Sequence, residues 1–127
     1  MLGEMAAVAT VGVRDMKRAR QFYENTLGLK RVESMGDSAA AYRTGNSSLF
    51  VYESQFAGTN QATAVTWDLG TDVDKVVRDL KSKGVAFEHY DLPDTKLDGD
   101  IHESGDRRLA WLKDPDGNIL ALAGRRS

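Results

Sequence analysis

The sequence predicts an α+β domain made of two βαβββ modules whose curved mixed sheets form a cup. Three observations carry this expectation. The order strand, helix, strand, strand, strand is legible twice along the 127 residues. The aspartates that open the two helices stand 57 residues apart and the glycines that stop them 56 apart, a spacing that means two copies of one supersecondary unit. Each copy has one helix, enough to cover one face of a small sheet, so the opposite face must serve another purpose. The expected organisation is a single domain over 1–127, with module 1 at about 7–54, a linker at about 55–61 and module 2 at about 62–124.

Module 1 opens with Val11 and Val13 alternating with smaller residues, the period of a strand. Asp15 can cap a helix by accepting backbone N–H bonds. Met16, Ala19, Phe22, Tyr23 and Leu27 then recur at helical spacing, and Gly28 ends the run. "LKRVESM", "AAAYRT" and "SSLFVYES" read as three strands separated by the turn-forming "GDS" and "TGN". In module 2, Val65, Trp67 and Leu69 alternate with Thr66 and Asp68. Asp72 takes the capping position, Val73, Val76, Val77 and Leu80 form the helical stripe, and Gly84 stops it. "VAFEHY" follows as a strand. After a polar loop come "RLAWLK" and "NILALAG", joined by the turn "DPDGN".

Composition narrows the function classes. A hydrophobic fraction of 41% and a charged fraction of 28% are ordinary for a globular protein. The net charge of −2 offers no general attraction to phosphate, so neither nucleic acid nor an anionic membrane is an expected partner. The absence of cysteine excludes disulfides, thiolate metal sites and a cysteine nucleophile, and it fits a reducing cytoplasm. "MLGEMAAVATVGV" lacks a basic leader and carries Glu4, so it reads poorly as a signal peptide, and no apolar run approaches the roughly 20 residues of a membrane helix. "TGNSS" is too short for a phosphate-binding loop, and no Ser–His–Asp arrangement has supporting context.

The segments "VGVRDMKRARQFYENTLGLK", "DVDKVVRDLKSKGV" and "LKDPDGNILAL" resemble the vicinal oxygen chelate superfamily, the glyoxalase/bleomycin resistance/dioxygenase proteins, over about residues 7–123. The resemblance implies two βαβββ modules wrapped round a cavity. In metal-dependent members it implies a His or Gln on the first strand, a Glu on the fourth, a His on the fifth and a Glu on the eighth. Such a set suits a divalent cation that chelates and polarises a substrate. The corresponding positions here are Val8, Phe50, Ala64 or Val65, and Ala121. Ala64 is favoured, because that register sends Val65, Trp67 and Leu69 toward the helix and Ala64, Thr66 and Asp68 toward the cup. None of these side chains can ligate a metal, so no metal or other cofactor is expected at the usual family site.

Strand parity then gives a cup lining. Leu49 and Val51 should face the helix, leaving Ser48, Phe50 and Tyr52 for the cavity. Leu112 should be core, which sends Leu109 and Trp111 the other way, and Val85 and Phe87 should be core, which leaves Glu88 and Tyr90. Phe50, Tyr52, Tyr90 and Trp111 would form aromatic walls, with Thr10, Thr66, Asp68 and Glu88 as polar groups. These residues suit a planar or amphipathic organic ligand. They equally suit a filled cup or a subunit interface.

His89 and His102 both lie among carboxylates (Glu88, Asp91, Asp100, Glu103). They and Glu88 are the candidates for acid–base catalysis or a displaced metal site. The plainer reading is a solvated acidic loop with an incidental histidine at each end, or a lid beside the cup. In the linker, Gln55 and Phe56 are candidates for ligand contact, with Phe56 more simply an anchor on the core or a partner chain. The closing "GRRS" reads as a solvated basic tail.

Three functions are therefore in play. One is metal-free binding of an organic small molecule, as in bleomycin-resistance-like members. The second is a divalent-metal-dependent glyoxalase-like lyase, isomerase or dioxygenase with a displaced site. The third is a metal-independent enzyme using a His or Glu base. A homodimer is expected, because two small sheets with one helix each leave edges and a broad face uncovered.

Overall fold

The computed structural model describes residues 1–126. They fall into two compact units: Met1–Thr59 with Pro115–Asn118, and Asn60–Asp114 with the chain from Ile119 onward.

The first unit contains β1 (Ala9–Val13), α1 (Met16–Arg20) continued by a π-helical stretch (Gln21–Thr26), β2 (Lys30–Ser34), β3 (Ala39–Thr44) and β4 (Ser47–Glu53). The sheet order is β1-β4-β3-β2, with β1 parallel to β4 and the other pairs antiparallel. Asp15 caps α1 by accepting from the Lys17 N–H at 2.9 Å, and Glu53 accepts from the Met16 N–H at 3.1 Å, so two of the orphan donors at the helix start are satisfied. Gly28 ends the helical run at φ +75°, with the Leu29 N–H reaching back to the Tyr23 carbonyl. Met16, Ala19 and Tyr23 are buried with Val11, Val13, Tyr42, Leu49 and Val51. The Tyr23 and Tyr42 rings lie 6.2 Å apart, and the Tyr42 hydroxyl donates to Glu24 at 2.9 Å, which fixes the helical segment over β3. Burial, and then that bond to Glu24, push the Tyr42 phenol well above its ordinary pKa.

The turn Pro115–Asn118 belongs to this first unit. Asp116 accepts from the Arg14 N–H at 3.1 Å and from the Arg18 guanidinium at 2.8 Å, and Asn118 donates to the Gly12 carbonyl at 2.7 Å. Gly58, at φ +73°, packs so close to the Asp116 carbonyl that a Cβ there would strike it. "DPDGN" is therefore a fastening that closes the β1–α1 corner as well as a turn.

The second unit contains β5 (Thr63–Asp68), α2 (Val73–Ser82), β6 (Phe87–Glu88), β7 (Lys96–Asp98), β8 (Ile101–Ser104), β9 (Arg107–Lys113) and β10 (Ile119–Arg125). Its sheet runs β5-β10-β9-β8-β7, with β6 also on β9. Val73, Val77 and Leu80 of α2 are buried, and α2 packs on β9 and β10, where Ala110, Leu112, Leu120 and Leu122 are buried. Asp72 occupies the N-cap without a side-chain capping bond, unlike Asp15. Gly84, at φ +91°, stops α2 as expected.

The expected polar loop between "VAFEHY" and "RLAWLK" is a hairpin. "VAFEHY" pairs only at Phe87 and Glu88, and β8 takes over the same edge of β9 at Arg107–Leu109. One long strand is thus replaced by two short ones. Arg108, buried on β9, ties the insertion down through Asp74 of α2 at 2.7 Å, Asp98 of β7 at 3.1 Å and Glu103 of β8 at 3.1 Å. Burial opposes its charge, but the hydrogen bonds to Asp74 and Asp98 outweigh this and raise its pKa. Two further expectations need correction. Phe56 is 68% exposed and anchors nothing on the core, where Ala57 is buried instead. The "GRRS" tail is not simply solvated: Gly124 and Arg125 extend β10, and Arg126 pairs with Glu103. Ser127 lies outside the described residues.

Candidate functional site

The face of the second sheet turned away from α2 is set by register. Leu120 pairs with Leu112 and Leu122 with Ala110, all buried toward the helix. Ala121 therefore faces the other way, between Thr66 on β5 and Trp111 on β9. Ala123 pairs with Asp68 and with Leu109 on the same face. The β5–β10 register shifts at Ala64, and this bulge lets the Thr63 hydroxyl accept from the Trp111 indole N–H at 3.2 Å. Thr63 was not among the sequence candidates. Asp68 spends its carboxylate on the Gly70 N–H at 3.1 Å, a local turn bond.

An aromatic cluster stands on this face. His102 meets Trp111 edge-on at 4.9 Å, Tyr90 meets Trp111 edge-on at 5.3 Å, and Tyr90 and His102 lie 6.1 Å apart. The local cause is the split strand. After Glu88 the chain leaves β9, so the Tyr90 N–H has lost its ladder partner. His102, opposite Leu109, fills the gap, and its Nε2 accepts that N–H at 2.9 Å. His102 is 1% exposed, so it does not lie on a solvated loop. Its Nδ1 and the Tyr90 hydroxyl are buried with no hydrogen-bond partner. Glu88 stands opposite Trp111 and pairs with Lys113 at 3.5 Å.

His89 lies beside the cluster, its ring 6.4 Å from that of His102. Its Nε2 is 2.8 Å from Asp100, which also holds Lys81 at 2.7 Å. The bond from Lys81, then that from His89, lowers the Asp100 pKa below the usual carboxylate range. His89 is half exposed. The two histidines do meet, although no spacing in the sequence requires it; Lys81 in the last turn of α2 was the partner sequence reasoning missed.

The remaining candidates belong to the first unit. Phe50 and Tyr52 stack with ring centroids 6.0 Å apart on the face opposite the buried Leu49 and Val51, and Thr10 pairs with Phe50 in register. Val8 lies just before β1 and is 49% exposed.

The positions at which the family resemblance would call for metal ligands are occupied by apolar side chains. Val8, Phe50, Ala64 and Ala121 supply no side-chain oxygen, nitrogen or thiolate. Ala121 is itself buried, with Thr66 and Trp111 as its register partners. Among the described residues no group of three or more His, Cys, Asp or Glu stands together as a metal site. No helix among them is long and apolar enough to cross a membrane.

Known structures of the same fold include a glyoxalase/bleomycin resistance protein/dioxygenase from Alicyclobacillus acidocaldarius (18% identity, 97% of this chain and 92% of that one, TM-score 0.72). Lactoylglutathione lyase from Agrobacterium tumefaciens is similar at 16% identity, covering 94% and 92%, with a TM-score of 0.71. So is the fosfomycin resistance protein FosX from Listeria monocytogenes, complexed with Mn(II) and sulfate, at 14% identity, covering 98% and 92%, with a TM-score of 0.71. No curated protein sequence matches the chain significantly. Residues 6–122 match the sequence model of one family, and the chain belongs to the Glyoxalase/Bleomycin resistance protein/Dioxygenase superfamily.

Proposed function

We propose that this chain binds an aromatic small molecule on the helix-free face of its second sheet, without using a metal ion. The observation that carries the reading is the place of Ala121. A short apolar side chain stands between Thr66 and Trp111, where the family resemblance would call for a ligating glutamate. Trp111 and Tyr90 supply flat apolar surface there, and Thr66 and Glu88 supply polar edges. Phe50 and Tyr52 offer a second surface of the same kind on the first sheet. Two measurements test this. Calorimetric titration with Mn(II), Ni(II) and Zn(II) should show no stoichiometric site, and a thermal-shift screen of aromatic metabolites and antibiotics should raise Tm for some of them. A stoichiometric, activity-supporting cation would reverse the reading in favour of a metal-dependent lyase, isomerase or dioxygenase.

A second reading rests on His89. An imidazole oriented by a carboxylate and half open to solvent is the arrangement of a general base. If it acts in catalysis, H89Q abolishes turnover and leaves ligand affinity unchanged. A homodimer is also part of the proposal. Val8, Val32, Met35, Tyr52 and Phe56 are large apolar side chains left at least 39% exposed, and light scattering of the purified protein reads the mass directly.

A further inference from the structure

The Tyr90–His102–Trp111 cluster carries an uncompensated cost. Buried polar atoms in folded proteins nearly always have partners, because an unpaired one has given up its bonds to water for nothing. Two such atoms belong to this cluster, His102 Nδ1 and the Tyr90 hydroxyl, both buried and both without a partner, on rings whose centroids lie 6.1 Å apart.

The chemistry of one of them is fixed by the other end of its ring. A backbone N–H can only donate, and the Tyr90 N–H points at His102 Nε2 at 2.9 Å. Nε2 must then be the unprotonated nitrogen, so in this bond the imidazole is neutral and carries its hydrogen on Nδ1. His102 thus holds an unused N–H donor, and the Tyr90 phenol an unused O–H, among aromatic rings. The nearby charges do not favour an anion: Glu88 shares the face opposite Trp111, and Lys113 is already paired with it.

We propose that His102 and Tyr90 are the polar anchor of the site, receiving a neutral hydrogen-bond-accepting oxygen of an aromatic ligand, such as an aryl ketone, amide or quinone, whose ring packs on Trp111. This deepens the function proposed above and rests on it. Two neutral donors in a dry aromatic setting take the role of orienting the ligand oxygen that a bound cation would otherwise hold.

The test is a calorimetric titration of the whole chain with three probes of one size. Acetophenone has the neutral carbonyl, α-methylstyrene replaces that oxygen by a methylene, and benzoate carries a charged acceptor. Acetophenone should bind at least about fivefold more tightly than α-methylstyrene, and benzoate more weakly than acetophenone. Tyr90→Phe keeps the ring and the N–H bond to His102, and should cut the acetophenone preference to about twofold or less. In protein with 15N-labelled histidine, His102 should show the Nδ1–H tautomer, and its N–H proton should shift with acetophenone but not with α-methylstyrene. Equal binding of acetophenone and α-methylstyrene, or an unaltered preference in Y90F, overturns the anchor while leaving an aromatic-binding face. Failure of all three probes to bind overturns both.

Discussion

Arg108→Met tests how the inserted hairpin is held. The guanidinium side chain is 6% exposed, and its three partners differ in how well water can replace it. Asp98, 63% exposed, is rehydrated in place, and its pair contributes about 0–1 kcal/mol. Asp74, 45% exposed, is discounted for the same reason to about 1 kcal/mol. Glu103, 11% exposed, is the partner that cannot escape, and orphaning it costs about 1–3 kcal/mol, moderated because Arg126 stays paired with it. The sum is about 3 kcal/mol, at the low end of what breaking a buried pair costs, and corresponds to a fall in Tm of about 10 °C for a domain of this length. Urea unfolding of wild type and R108M reads it as a shift in midpoint at constant slope. A compensation is testable as well: Glu103→Leu added to R108M removes the orphaned carboxylate and should recover about half the loss. A loss under about 1 kcal/mol, or no recovery in the double variant, would refute the claim that orphaned charge, rather than lost packing, sets the cost.

Gly58→Ala should destabilise by about 2 kcal/mol or more, because it forces a Cβ onto a left-handed backbone and into the Asp116 carbonyl; urea midpoints check it. Asp100→Asn should lower Tm by an amount that depends on pH in a defined sense. The folded pKa is depressed, so the carboxylate's contribution is complete above the unfolded value of about 4 and disappears as pH falls through the folded one. The gap between wild type and D100N should thus close as pH falls below about 4; a gap that persists unchanged in strong acid contradicts the pairing. Ala121→Glu would bury a carboxylate beside Trp111 and should cost about 2 kcal/mol or more. Added Mn(II) or Ni(II) should not restore the lost Tm, because Ala64 and Thr66 provide no strong second ligand; a metal-dependent recovery would show otherwise.

Most of the fold was legible because its signals are local. Asp15, Gly28 and Gly84 punctuate the helices where expected, and strand parity assigns Leu49, Val51, Leu112 and Trp111 to faces that match their burial. Asp72 shows the limit of such signals: the residue type and position match Asp15, but no capping bond forms. The hairpin at Lys96–Ser104 was missed because "KLDGDIHES" does not alternate strongly. A weaker signal was present. Gly99–Asp100 and Gly105–Asp106 are two-residue turns that open on a positive-φ glycine, as is Gly45–Asn46 in the first unit. The meeting of His89, Asp100 and Lys81 was not legible at all, since it depends on where the hairpin folds back and on the last turn of a helix distant in sequence. For the same reason Thr63 could not be placed against Trp111 without the bulge at Ala64.

A chain that repeats itself invites the notion that each half could fold alone. The routing of Pro115–Asn118 argues against that freedom. The first unit borrows its Asp116 and Asn118 from beyond Lys113, so a fragment ending at Thr59 would leave the Arg14 amide, the Arg18 guanidinium and the Gly12 carbonyl without these partners. A cut near the midpoint of the sequence would thus damage the side that looks complete.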